Sequence, residues 1–203
     1  MSTALIVFAK APVPGQAKTR LIPALGAEGA ARLAEHLLQH TLLQVRDAPV
    51  DRLELCVAPD TTHPVFEQMR QATGKRLQLT PQGDGDLGER MHRALSRALA
   101  PHHKVLLIGT DAPALNASVL AAADAALDHH DAVFVPALDG GYALVGVTRP
   151  APELLLRMTW STPQVMAHTR ERARRHGWRW AELPPVADID EAADLVHLPE
   201  GWL

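Results

Sequence analysis

Five short segments carry the side chains of this sequence that could do chemistry. Lys10, Lys18 and Arg20 fall within eleven positions, and no acidic residue occurs from Met1 to Ala27. Pro12, Pro14 and Gly15 stiffen the stretch between them. A rigid loop with uncompensated cations suits a bound diphosphate, and the same charges can also make a plain solvated basic loop. Lys18-Thr19 mimics the last pair of a P-loop, but Pro12 and Ala17 stand where that motif needs glycine, so its phosphate-cradling backbone is excluded. Gly109-Thr110-Asp111-Ala112-Pro113 presents one carboxylate. Mg²⁺ or Mn²⁺ takes one or two such groups and fills the rest of its shell with phosphate oxygens and water, whereas an aspartate there can also cap a turn. Asp139-Gly140-Gly141-Tyr142 places a carboxylate ahead of two residues free to take positive φ, which is equally the signature of an Asp-Gly turn. In Asp188-Ile189-Asp190 an extended backbone puts both carboxylates on one side. An N-cap cluster for a helix near Glu191 is the other reading. Last, the glycine-rich run Gln82 to Met91, with Gly85 at its centre, could cover a base or ribose with backbone groups or simply connect two elements.

These segments are separated by alternating extended and helical patterns. The apolar run 5–9 reads as a buried strand. Apolar residues at 30, 33, 34, 37, 38, 42 and 45, with Thr41 on the same face, give a helical stripe over Ala27 to Arg46. Strands are expected at 53–58 and 76–79, with a short helix behind Pro64 between them and another helix over 87–100. Lys104 to Gly109 is the clearest strand, apolar on both faces, and Asn116 caps a helix running to Leu127. Two extended runs follow at 132–135 and 142–147. Thr162 before Pro163 predicts a helix start reaching Arg175, and a last strand covers 178–183. In open α/β sheets ligands gather at the carboxyl ends of strands, so the reactive segments sit where such a sheet would use them. Three acidic strand ends facing a cationic first loop form a more specific pattern than any one of them.

The bulk numbers bound the rest. With 203 residues, 47% of them apolar and aromatics only 4%, one α/β domain with an aliphatic core is the economical reading. Twenty basic against 23 acidic residues give a net charge of −3, which lacks the cationic excess that nucleic-acid binding needs. No apolar stretch approaches the ~20 residues that span a bilayer, and the N-terminal apolar run is too short for a signal peptide. The expected setting is therefore the cytoplasm, with no membrane and no nucleic-acid partner. Cys56 reads as a small buried hydrophobe. Arg170 to Trp180 interleaves cations and indoles, and is expected to be the solvated end of a helix rather than a stacking platform. His36 and His40 lack the glutamate that a zinc-protease motif places between them. Trp160 could stack on a sugar or staple a helix start.

Phe8-Ala9-Lys10-Ala11-Pro12-Val13-Pro14-Gly15 with Lys18-Thr19-Arg20-Leu21, then Gly85 to Met91, Gly109 to Pro113, Asp139 to Tyr142, Trp160-Ser161-Thr162 and Asp188 to Asp190, resemble in order and nearly end to end the DUF2064 family of small bacterial glycosyltransferase-like proteins. That family is similar to the GT-A, or nucleotide-diphospho-sugar transferase, superfamily. The resemblance implies a three-layer α/β/α sandwich with a mostly parallel central sheet and a nucleotide over the first strand. It places Ala9, Lys10, Lys18, Arg20, Gly85 and Asp111 around the nucleotide, and Asp111 with Asp188 or Asp190 on a metal, Mg²⁺ or Mn²⁺. Asp139 would face the sugar or acceptor as base or orienting group. Two departures stand out. The strand end lacks a full Asp-x-Asp, so no second carboxylate comes from that loop, and Ala112 occupies a position where the family often has cysteine.

Three activities are compatible with this reading. The first is metal-dependent glycosyl transfer from a nucleotide-diphospho-sugar to a small-molecule acceptor, with cations neutralising the leaving diphosphate. The second is nucleotidyl transfer from an NTP to a phosphorylated acceptor with pyrophosphate release. The third is nucleotide binding without turnover.

Overall fold

The computed structural model describes residues 1–74, 77–199 and 201–202. Strand β1 (Thr3–Lys10) is the centre from which the sheet is laid out. Its side chains alternate between faces, and both faces are covered: Leu5, Val7 and Ala9 join one core, while Ala4, Ile6 and Phe8 join another. A strand buried on both faces needs a parallel sheet between helical layers, and the topology supplies one. Parallel strands β2 (Arg52–Ala58) and β4 (Lys104–Ile108) flank β1, and β3 (Leu77–Pro81) lies outside β2. Beyond β4 come β6 (Tyr142–Val147), antiparallel to its neighbours, then β5 (Ala132–Pro136) and β7 (Trp180–Glu182), giving the order β3-β2-β1-β4-β6-β5-β7.

Helices α1 (Ile22–Val45), α2 (Pro64–Thr73) and α4 (Ala117–Ala126) cover one face through Leu38, Leu42, Phe66, Met69, Leu120 and Ala123. The other face carries α3 (Leu87–Leu99), α5 (Pro152–Leu155) and α6 (Val165–Arg175), packed through Met91, Leu95, Leu155 and Met166. The expected three-layer sandwich with a mostly parallel sheet is the observed one. Each fully buried Leu, Ile or Phe contributes about 1.5–3 kcal/mol by leaving water, so the two cores together hold the layers. The sequence-based helix start at Ala27 has a structural counterpart, because Gly26 at φ 70°, ψ 166° breaks the first turn of α1 from the rest.

Some boundaries differ from expectation. The helix anticipated from Thr162 begins at Val165 with Gln164 as N-cap, and the Thr162 hydroxyl instead donates to the Thr159 carbonyl at 3.1 Å. The four residues of α5 are too few to leave a periodic signal. Of the strand anticipated over 76–79, Arg76 lies outside the described residues, and β3 continues to Pro81. Among the described residues no helix is long and apolar enough to cross a membrane.

Candidate functional site

The sheet order turns at β1: β2 and β3 lie on one side, β4 on the other. Such a switch point opens a crevice at the strands' carboxyl ends, and the loops after β1 and β4 both empty into it. After β1 the chain makes tight turns, with the amides of Gln16 and Ala17 donating to the Val13 carbonyl. It then reaches Lys18 in the left-handed conformation, φ 46°, ψ 45°. A lysine there costs about 1–2 kcal/mol, and such strain concentrates at functional sites.

What the strain achieves is the placement of the Lys18 ammonium. Its side chain is only 9% exposed, and Nζ donates to Asp111 Oδ1 at 2.5 Å, Asp190 Oδ1 at 2.8 Å and the Ile189 carbonyl at 2.5 Å. Burial works against its charge, but the two carboxylates outweigh that, and the group titrates above the usual lysine range. Asp111 and Asp190 are far more open, at 46% and 38%. Backbone pairing fixes their separation: the Ile189 amide donates to the Asp111 carbonyl at 2.8 Å. Fully buried Ile189 anchors this crossing in a small core with Leu21, Ala30, Leu33 and Leu37. The segment after β7 thus supplies the acidic partner that the loop after β4 lacks.

A second carboxylate pair lies alongside. Asp188 is pushed up to about 6, first by burial and then by the negative charges of Asp139 and Asp190. Asp139 is exposed, and its Oδ1 accepts the Gly141 amide at 2.7 Å, so the turn predicted there exists and the aspartate both closes it and faces Asp188. Gly140 permits the turn, at φ 91°, and a Cβ on it would come within 2.1 Å of the Pro163 carbonyl oxygen. The N-cap role foreseen for Asp188-Asp190 belongs to Glu191 and Asp194, which form a capping box for the 3₁₀ turn 192–197.

The other anticipated residues are more peripheral. Lys10 is exposed and donates to the Gln16 carbonyl at 2.9 Å, and Arg20, 57% exposed, reaches Glu191 at 3.6 Å. The Ala9 carbonyl accepts from Gln82 Nε2 at 3.1 Å, as does that of Cys56. Buried Gln82 in turn accepts from Arg90, while Arg93 donates to the carbonyls of Gln82 and Asp84, so the glycine-rich loop is tied across the end of β1. Gly85 is the turn before the capping box of Asp86 and Glu89 at the head of α3. Trp160 is half-buried between Tyr142, at 6.1 Å ring to ring, and α3, where only the missing side chain of Gly88 leaves room for its indole nitrogen. Tyr142 Oη and Trp160 Nε1 are buried there with no hydrogen-bond partner among the described residues. Ala112 is buried and packs in the core.

Sequence reasoning missed Glu54, Gln82 and the partners of Lys18. Fully buried Glu54 on β2 accepts from Arg52 at 2.9 Å, Thr80 at 2.6 Å and Arg97. A carboxylate inside the apolar run Leu53-Glu54-Leu55 is itself a signal, because a buried charge must be paired. The segment Arg170 to Trp180 is only in part the solvated helix end expected: α6 stops at Arg175, Trp178 is buried in the core and Trp180 opens β7. Arg170 binds Glu182, Arg175 binds Glu171, and Arg172 donates to the carbonyls of Glu153, Leu156 and Arg157. His36 and His40 lie edge-on to Trp202.

The described residues contain no group of three His, Cys, Asp or Glu side chains that could hold a metal ion. Two carboxylates and a backbone carbonyl do converge on one point, now taken by Lys18 Nζ. Hard oxygen donors open to solvent on one side suit Mg²⁺ or Mn²⁺, which complete their shells from phosphate and water.

Comparison with known proteins gives the family and agrees with the fold. The DUF2064 family model, described as an uncharacterized protein conserved in bacteria, matches residues 41–162. A protein of Desulfovibrio desulfuricans G20, provisionally assigned as a nucleotide-diphospho-sugar transferase, is 32% identical with a TM-score of 0.86, over 96% of this chain and 85% of that one. A nucleotidyl transferase from Methanothermobacter shares the fold at TM-score 0.68 and 16% identity, covering 99% and 97% of the two chains. So does a manganese complex of the protein Rv0371c from Mycobacterium tuberculosis H37Rv, at TM-score 0.57 and 17% identity, covering 99% and 100%. No curated protein matches the sequence.

Proposed function

The chain belongs to the DUF2064 family, and from that premise we propose that it is a metal-dependent transferase using a nucleotide-diphospho-sugar as donor. The observation that carries this reading is the meeting of Lys18, Asp111 and Asp190 at the switch point of the sheet. The 32% identity to a protein assigned to that class supports it. Asp111 and Asp190 would hold the divalent ion, which when bound neutralises the charge that builds on the leaving diphosphate. Lys10, at the exposed end of β1, and Arg20, in the turn Thr19–Leu21, would exchange the Gln16 carbonyl and Glu191 for phosphate oxygens and add to that stabilisation. The bridge from Gln82 to the Ala9 carbonyl holds the strand end against which the base would lie. On the far side, the Asp139–Asp188 pair would receive the sugar or the acceptor. A carboxyl group near its titration point at neutral pH is suited to accept the acceptor's proton.

A second reading is nucleotidyl transfer from an NTP to a phosphorylated acceptor. The cationic loop after β1 favours it, since three basic residues without a local acidic partner in sequence suit a polyphosphate. Product analysis separates the two. The protein is incubated with Mn²⁺ and a panel of nucleotide sugars, then with NTPs and sugar phosphates. Release of a nucleoside diphosphate from a nucleotide sugar is expected. Pyrophosphate release from an NTP, with no nucleoside diphosphate from any sugar donor, would instead establish nucleotidyl transfer. Neither product, with nucleotides raising the melting temperature regardless of metal, would leave binding alone.

A further inference from the structure

A lysine ammonium carries three protons, and Lys18 has three acceptors for them: Asp111 Oδ1, Asp190 Oδ1 and the Ile189 carbonyl oxygen. In this arrangement no N–H is left for a phosphate, and the side chain is nine-tenths buried. The same oxygens are the donors that a divalent ion would take. Two cations cannot share one point between them, because their volumes overlap and their charges repel.

We infer that Lys18 is the resident cation of the metal site: it occupies the position of the divalent ion in the free protein and is displaced from it when the ion binds. The inference rests on the reading of Asp111 and Asp190 as metal ligands. Its physical basis is that an acidic site open on one side needs a counter-charge when empty. Asp111 and Asp190 would otherwise repel each other, and Lys18 screens them. The only route for the displaced ammonium that does not leave it buried and unpaired is outward, toward the half-exposed side where phosphates would lie. A lysine on a loop and in a left-handed conformation is better placed to move than one on a strand. Metal and nucleotide then help each other: the metal frees the ammonium, and the phosphates receive it. By linkage the free protein holds the metal more weakly than its donor set alone would.

Two measurements test this in the absence of nucleotide. Mn²⁺ binding is titrated by electron paramagnetic resonance on the wild type, on Lys18→Met, and on Lys18→Met with Asp111→Asn. Lys18→Met should bind Mn²⁺ about tenfold more tightly than the wild type, inside the range usual for coupled sites, and adding Asp111→Asn should remove the gain. Equal affinity in wild type and Lys18→Met, no binding by either, or a gain that survives Asp111→Asn would each overturn the inference. The second measurement needs no variant. In ¹⁵N-lysine protein, a buried and fully bonded ammonium gives a slowly exchanging NMR signal, and Mg²⁺ should abolish that of Lys18 as it saturates the site. A signal that persists at every Mg²⁺ concentration also overturns it. Neither readout involves turnover, so a failure of the proposed donor leaves both results interpretable, and a failure here leaves product analysis untouched.

Discussion

Two lysines in this protein are buried in nearly the same way at opposite ends of the β4 region, and they teach different things. Lys104 opens β4, is 3% exposed, and donates to the Asp124 carbonyl at 2.8 Å and to Asp128 Oδ1 at 2.8 Å, with Asp124 Oδ2 at 3.4 Å. Lys18 meets Asp111, just past the other end of β4, with the same complement of two carboxylates and one carbonyl. The chemistry is shared, but the commitments around it are not. Lys104 sits on a regular strand, and its partners come from α4 and the turn after it. Asp124 is further tied by the Thr3 hydroxyl at 2.6 Å. Lys18 is held in a strained backbone, and its partners come from two loops that meet only in the folded chain. A buried charge whose partners come from the adjoining helix and the turn after it pins a structure. One assembled from distant loops at the mouth of a crevice is poised to exchange them; the difference lies in the loops and not in exposure, since Asp111 at 46% is about as open as Asp128 at 45%.

The sharpest way to break that distinction is to remove one carboxylate from each end. Asp111→Ala should lower metal-dependent turnover by about 10²–10³-fold, as losing a group that supports charge in the transition state does, with the fold retained and stability lowered by about 1 kcal/mol for the lost partner of Lys18. Asp124→Ala should leave turnover within about twofold while lowering stability by about 1 kcal/mol. Steady-state rates and thermal melts of both variants are the check. Comparable losses of activity would mean that the two clusters are equivalent supports for the fold.

The same contrast shows what could be read before the fold was seen. The strands were legible because both-face burial leaves unbroken apolar runs, as in Val105 to Ile108, and the helices because their stripes recur every three to four residues. Asp111, Asp139 and the Asp188–Asp190 pair were legible as acids just after predicted strands. Lys18 was legible as a cation near phosphates, but its actual acceptors were not: Asp190 lies 172 positions away, and no local spacing brings it close. The insertion of antiparallel β6 between β4 and β5 was hidden for a similar reason, since pairing order is set by tertiary packing. Lys104 drew no notice because a lysine at a strand start is ordinarily a solvated one. Only the folded α4 shows it enclosed.

A smaller effect sharpens the comparison. Lys104→Met and Lys18→Met each remove an ammonium from between acids, at a cost of about 1–3 kcal/mol. Adding Mg²⁺ should restore stability to Lys18→Met, because an ion that binds the folded state alone raises its melting temperature. It should do little for Lys104→Met, where Asp124 Oδ1 is already engaged by Thr3 and the carbonyl belongs to the end of a helix. Equal rescue of both variants would erase the difference between an exchangeable site and a fixed one.

The smallest effect concerns pH, and here the two ends should respond in opposite directions. Asp188, beside the Lys18 cluster, has its folded value raised from 3.8 to about 6 by burial and by neighbouring carboxylates. Between those values the native state binds more protons than the unfolded chain, so this group's contribution to stability is fully present below about pH 4 and is lost as pH rises to 6. Because the group is only half-buried, solvent screening reduces the size of the loss to on the order of 1 kcal/mol. Asp128, beside Lys104, is instead held below the usual carboxylate range by its hydrogen bond to that lysine. Its contribution is present above about pH 4 and fades as pH falls through its folded value. Thermal melts from pH 3 to pH 8 should therefore show Asp188→Asn gaining on the wild type as pH rises, and Asp128→Asn falling behind it over the same climb. Parallel profiles would mean that the acids around Lys18 carry no more repulsion than those around Lys104, and the case for a cation-hungry site at that end of the sheet would lose its electrostatic support.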